Sequence, residues 1–140
     1  IIDKKGKLTN EEFEIIKTHT TAGEEMLIDL ADFEDEPLVN YARQICRYHH
    51  ERYDGKGYPD GLKGDEIPIA AQVVSVCDVC DALISERPYK RAYTHDEAVK
   101  IIKNGECGAF NPVILECFDE CADKFKDIIE REKKEKKDDE

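Results

Sequence analysis

Sixteen residues in the middle of the chain constrain it most. Positions 51–66 read Glu-Arg-Tyr-Asp-Gly-Lys-Gly-Tyr-Pro-Asp-Gly-Leu-Lys-Gly-Asp-Glu, with four glycines and one proline. No helix interior tolerates that composition. Loops this long without regular structure are uncommon in small domains unless they are functional or disordered. Tyr53 and Tyr58 argue for an ordered one, and the two residues before it are His49 and His50. Whatever fold forms must present a long loop directly beside a histidine pair.

The flanking sequence reads as helix. Thr9-Asn10-Glu11-Glu12 opens one, with Thr9 as N-cap, Glu12 in the capping-box position and Leu8 as hydrophobic staple. Thr18, Thr20, Thr21 and Gly23 lower helix propensity and predict a bend or a second start there. Glu24 to Leu30 resumes the helix, and Ala31–Pro37 is an acidic loop stopped by proline. Leu38 to about His50 is helical, with Val39, Ala42, Ile45 and Cys46 at core spacing. Pro68 leads into the most apolar stretch, Ile69 to Ser85, which reads as the central helix. Thr94 and Glu97 make a second capping box for a short helix to Asn104, broken by Gly105 and Gly108. Asn111 as cap and Pro112 at the first helical position open the last helix, which runs into a solvated end. There is no internal repeat and no plausible strand pair. The expected fold is all-α, a single domain over 1–122, with 123–140 a charged helix end or disordered tail.

At 140 residues the chain can bury a real core. Its formal charge is −12, and the tail contributes little: residues 1–122 hold 14 of the 21 basic and 25 of the 33 acidic side chains. Such a field disfavours nucleic-acid polymers and anionic membranes as partners. No apolar run approaches the roughly 18–20 residues of a membrane span. The chain starts Ile1-Ile2-Asp3 without Met or an apolar signal region, and reads as a fragment. Its six cysteines (46, 77, 80, 107, 117 and 121) fit a reducing, cytoplasmic setting.

Three features could carry chemistry. Asp78, Asp81 and Ser85 share one side of the central helix at 100° per residue, and Ile69–Ser85 holds no Lys, Arg or Glu. An ordinary solvent face is the simpler reading. A carboxylate left on an otherwise apolar helix, however, needs a partner, and a metal ion is the natural one. His49 and His50 would point about 100° apart on a helix, so they suit two nearby ions, or one ion and an anionic ligand, better than joint chelation. Alone, the pair fits a surface or supporting role as well as ligation, and so does His19 in its Thr-His-Thr-Thr setting. Glu86-Arg87-Pro88-Tyr89-Lys90-Arg91 is a basic cluster in an acidic body, either plain surface or a phosphate clamp. A competing reading has Cys77-x-x-Cys80 and Cys117-x-x-x-Cys121 holding structural zinc, although mid-helix cysteines among valines suit it poorly.

Taken together the sequence resembles the HD-GYP family, a branch of the HD superfamily of metal-dependent phosphohydrolases. The resemblance rests on Gly6-Lys7-Leu8-Thr9 through Lys17-Thr18-His19, and on His49-His50-Glu51-Arg52-Tyr53-Asp54-Gly55-Lys56-Gly57-Tyr58-Pro59 with Gly61-Leu62-Lys63-Gly64. It continues through Ile67-Pro68, Asp78-Val79-Cys80-Asp81-Ala82-Leu83, Arg87-Pro88-Tyr89 and Phe110-Asn111-Pro112. It implies an HD-like bundle of about five or six helices lacking the family's first. It implies metal ligation by His19, His49, His50 and Asp78, substrate contacts by Arg87, Lys90 and Asp81, and a substrate-access or partner loop at Gly57, Tyr58 and Pro59. Two or three iron- or manganese-type ions, cyclic di-GMP as substrate and diguanylate cyclase domains as partners follow from the same resemblance. The family's His-Asp dyad and its Lys would lie upstream of Ile1, so the catalytic set is not in this chain and the metal site is incomplete. Asn111 stands where the family often has Asp.

Two functions of different class follow. The parent protein is a metal-dependent phosphodiesterase for cyclic di-GMP, of which this fragment alone turns over little or no substrate. Alternatively the domain is a non-catalytic module binding a nucleotide or partner, or an HD phosphohydrolase for another nucleotide. Apolar surface on the central helix predicts a homo-oligomer.

Overall fold

A computed structural model describes residues 1, 4, 6–28, 36–85 and 91–138, with side chains as far as Arg131. Five α-helices carry the fold: α1 (Asn10–Ile28), α2 (Pro37–Tyr48), α3 (Ile69–Ile84), α4 (His95–Lys103) and α5 (Pro112–Asp138). A single 3-10 turn at Gly64–Glu66 precedes α3. No strand occurs among the described residues, as expected for an all-α chain.

The helix starts follow from local chemistry. Thr9 Oγ1 accepts the Glu12 N–H at 3.2 Å, and the Glu12 carboxylate accepts the Thr9 N–H at 2.7 Å. Thr94 and Glu97 repeat the arrangement at α4, at 3.2 and 2.8 Å. Asn111 Oδ1 accepts the Val113 N–H at 3.0 Å and opens α5. Each cap satisfies backbone donors that the first helical turn leaves without partners.

The expected break in α1 is absent. Thr18, Thr20 and Thr21 donate their hydroxyls to the carbonyls of Ile15, Lys17 and Thr18, at 2.7, 2.9 and 3.1 Å. Their polar groups are satisfied inside the helix and do not compete with it. Gly23 faces α2, where a Cβ would lie 3.5 Å from Cys46 Cβ and Sγ. An alanine Cβ there would be in ordinary contact, so the crossing does not depend on the glycine. The acidic segment around 31–35 lies outside the described residues.

α1 packs on α2, α2 on α3, and α3 on both α4 and α5, which also meet each other. The core joins Val76, Cys80, Leu83 and Ile84 of α3 to Ala98 and Ile102 of α4 and Phe118 of α5. Each large apolar side chain buried there contributes about 1.5–3 kcal/mol. α5 runs unbroken past residue 122, and Phe125 and Ile129 pack against the same core. Buried Gln72 ties the first turn of α3 to the start of α5: its Nε2 donates to Ile67 O at 2.7 Å, and its Oε1 accepts Asn111 Nδ2 at 2.9 Å. No described helix is long and apolar enough to cross a membrane.

Candidate metal centre

The three histidines singled out from sequence meet. His19 projects from the middle of α1, His49 caps the C-terminus of α2, and His50 follows it in the turn. One nitrogen from each ring lies within 4.8 Å of the other two, the one such group of three or more metal-type donors among the described residues. His49 keeps near-helical dihedrals (φ −66°, ψ −13°) and its N–H still donates to Ile45 O, and His50 follows in the turn. The His49 and His50 rings sit 4.2 Å apart between centroids.

The donor atoms are prepared for a cation. His19 Nδ1 lies 2.6 Å from Ile16 O, and His49 Nδ1 lies 2.8 Å from Ile45 O and 3.1 Å from Cys46 O. Carbonyls accept only, so each Nδ1 carries the proton and each Nε2 presents a lone pair. The two Nε2 atoms then face each other at 3.2 Å. Two nitrogens bound about 2.1 Å from one ion stand roughly 3.0–3.4 Å apart. A ligating histidine whose other nitrogen donates to a backbone carbonyl is the usual metal-site arrangement. The residues present therefore fit a divalent metal.

Burial brings the His50 pKa down to about 4; repulsion from His49 lowers it, Asp78 opposes, and His19 lowers it further. Its ring is neutral at pH 7 and free to act as a ligand. Tyr58 stacks on it with centroids 4.8 Å apart and planes at 27°. Burial, with the charge of Asp78, pushes the Tyr58 phenol up to about 12.

Asp78 and Asp81 are exposed, which corrects the argument that singled them out. Their stripe on α3 faces solvent, and burial does not demand a partner for it. Asp78 belongs near the site on different grounds, because its charge acts on both His50 and Tyr58. Arg87 and Lys90 lie outside the described residues. Gly57, Tyr58 and Pro59 are half-buried beside the cluster. Cys80 is in the core and Cys77 half-buried, burial raises both thiol pKa values, and no cysteine joins a metal-type group among the described residues. The structural-zinc reading has no support in this arrangement.

A cleft of about 260 Å³ borders His50 and carries Phe13, Lys17, Arg52, Lys56 and Tyr58 on its walls. Lys17 Nζ stands 4.9 Å from the Phe13 ring centre and 5.6 Å from that of Tyr58. Lys17 pairs with Glu14 at 2.6 Å and Arg52 with Asp54 at 2.9 Å, and Glu51 shares the cleft wall, so these cations are largely compensated by the chain's own carboxylates. Phe13, Lys17 and Glu51 were not picked out from the sequence. The Lys17-Thr18-His19 spacing holds the one local signal for Lys17, two residues before a ligand candidate.

Comparison with known proteins agrees with this geometry. Residues 1–112 match the family described as HD domain. A cyclic di-GMP phosphodiesterase of Thermotoga maritima is 41% identical over 135 residues, 96% of this chain and 36% of that protein. The cyclic di-GMP phosphodiesterase response regulator RpfG of Xanthomonas campestris pv. campestris is 42% identical over 112 residues, 80% of this chain and 29% of that protein. A 3'3'-cGAMP-specific phosphodiesterase of Vibrio cholerae is 37% identical over 118 residues, 84% of this chain and 24% of that protein. The chain thus spans about a quarter to a third of the length of these relatives.

Proposed function

This chain belongs to the HD domain family, and from that premise we propose that it is the metal-binding part of a phosphodiesterase acting on cyclic di-GMP. The observation that carries the reading is the pair of Nε2 atoms facing each other at 3.2 Å, with both Nδ1 protons committed to helix carbonyls. His19, His49 and His50 hold the ion, and Asp78 completes or orients the set from α3. Mixed imidazole and carboxylate donors suit iron or manganese better than calcium. A bound divalent ion would supply Lewis-acid polarisation of a phosphodiester and a water of lowered pKa.

The chain's own residues do the rest. Lys17, Arg52 and Lys56 line the adjoining cleft and offset the negative charge of a cyclic dinucleotide. The exposed ring of Phe13 offers a face on which a base can stack. Arg87, Lys90 and Asp81 contact the substrate, as the family resemblance implies, and the Gly57–Pro59 loop controls access and meets diguanylate cyclase domains. The likeness to a 3'3'-cGAMP-specific relative supports a second cyclic dinucleotide as alternative substrate. Free cysteines suit a cytoplasmic domain. Ile69, 59% exposed on α3, with Met26 and Leu38 more exposed still, supports self-association.

The test is metal content per chain by plasma mass spectrometry on untagged protein, together with cyclic di-GMP hydrolysis before and after chelation. At least one iron or manganese per chain and a slow hydrolysis that chelation abolishes are expected. Hydrolysis that survives chelation, or a protein that retains no metal, overturns the reading. Metal retention with nucleotide binding and no turnover, persisting in the full-length protein, assigns the non-catalytic module instead.

A further inference from the structure

The loop that follows His50 is fastened by two side chains, by Arg47 through the Asp60 carboxylate and from inside by Glu51. Glu51 is 4% exposed, and its Oε1 accepts the N–H of Asp60 at 2.7 Å and of Gly61 at 2.9 Å. The Tyr58 N–H donates to His50 O at 3.2 Å. Gly57 lies so near that a Cβ there would stand 2.4 Å from Arg52 N and Glu51 Cα. Segment 57–61 is therefore folded back on the backbone of residues 50–52, and it delivers the Tyr58 ring onto the His50 imidazole.

The three histidines are not held alike. Hydrogen bonds to helix carbonyls fix the rings of His19 and His49. His50 is oriented by its ring contacts with Tyr58, His49 and His19. Whatever fixes Tyr58 therefore fixes His50. Glu51 itself does not join the group of metal-type donors. Its Oε1 is committed to the loop, and its Oε2 is buried away from solvent.

We propose that Glu51 is the positioning residue of His50: its buried carboxylate holds the 57–61 loop, and the loop presses Tyr58 against the imidazole. A side-chain carbonyl-type oxygen suits this task because two adjacent backbone N–H groups need one acceptor with two lone pairs. The inference rests on the metal reading above and adds to it a residue that acts through the loop without touching the ion.

The experiment follows the His50 ring protons by NMR in metal-free protein, and Co²⁺ binding by absorbance, in the wild type, Glu51→Ala, Glu51→Gln and Tyr58→Ala. Glu51→Ala and Tyr58→Ala should shift the His50 resonances, leave those of His19 and His49 nearly in place, and weaken Co²⁺ binding about 10–100-fold. Glu51→Gln keeps the Oε1 acceptor and should restore both readouts to near wild type. Unchanged His50 resonances and Co²⁺ affinity in folded Glu51→Ala overturn the proposal, as does a Gln variant no better than Ala. Should Glu51→Ala fail to fold, an unchanged Co²⁺ affinity in Tyr58→Ala overturns it equally. A wild type that takes no Co²⁺ refutes the metal reading, while the NMR arm still decides the role of Glu51.

Discussion

The half of the molecule built from α3, α4 and α5 and the half built from α1 and α2 are assembled on different terms. In the first, seven side chains are buried together in one core. In the second, Thr20 is the one fully buried helix residue, and α2 contributes none. All three histidines nevertheless come from α1, α2 and the turn after α2. They are held by short-range hydrogen bonds and ring contacts rather than by apolar packing. Stability and chemistry therefore sit largely apart, and single substitutions should separate them.

The largest expected effect tests the packed half. Ile102→Ala removes a fully buried side chain from α4 and should cost about 2–5 kcal/mol in urea unfolding. The metal affinity of the protein that stays folded should not change, and a parallel loss would show that the halves are coupled. His49→Ala tests the other half. Metal affinity should fall on the order of 100-fold, about 2.7 kcal/mol, while the thermal midpoint moves little, because the ring is half-buried and outside the core.

A smaller effect is expected at the start of α1. Thr9→Ala removes the cap that accepts the Glu12 N–H and should cost about 1 kcal/mol. Hydrogen exchange should quicken in the first turn of α1 and stay unchanged in α3 to α5. The smallest effect concerns pH. Hydrogen bonds from Arg47 hold the Asp60 carboxyl below its ordinary value. A folded-state pKa below the unfolded one means stabilisation that is complete above the unfolded value and is lost as pH falls through the folded one. Protection of the loop amides should decline below about pH 4, and Asp60→Asn should remove that step. The change should stay below about 1 kcal/mol, since this ion pair is partly exposed.

What could be read from the sequence was what local chemistry decides. The Thr-x-x-Glu boxes at Thr9 and Thr94 carry their whole mechanism within four residues, and both formed as expected. The α1 break was misjudged because propensity treats each threonine alone, whereas their hydroxyls bond back into the same helix. The histidines were legible one by one from their settings, and their convergence only through the family resemblance, because thirty residues separate His19 from His49. Asp78 was chosen for burial it does not have. Glu51 was missed because its partners lie nine and ten residues along the chain. Among so many carboxylates, nothing local distinguishes the one that becomes buried.

Arg47 adds a point about how the site comes into being. Its guanidinium, carried on α2, grips Glu24 of α1 with one arm and the Asp60 carboxylate of the loop with the other two nitrogens. Both carboxylates can be satisfied only when α1 and the loop have reached α2 together. The fork thus works as a conjunction: three stretches distant in sequence must be present at once, and these are the stretches bearing His19, His49 and the Tyr58 that meets His50. A pocket lacking either α1 or the loop keeps only part of that grip.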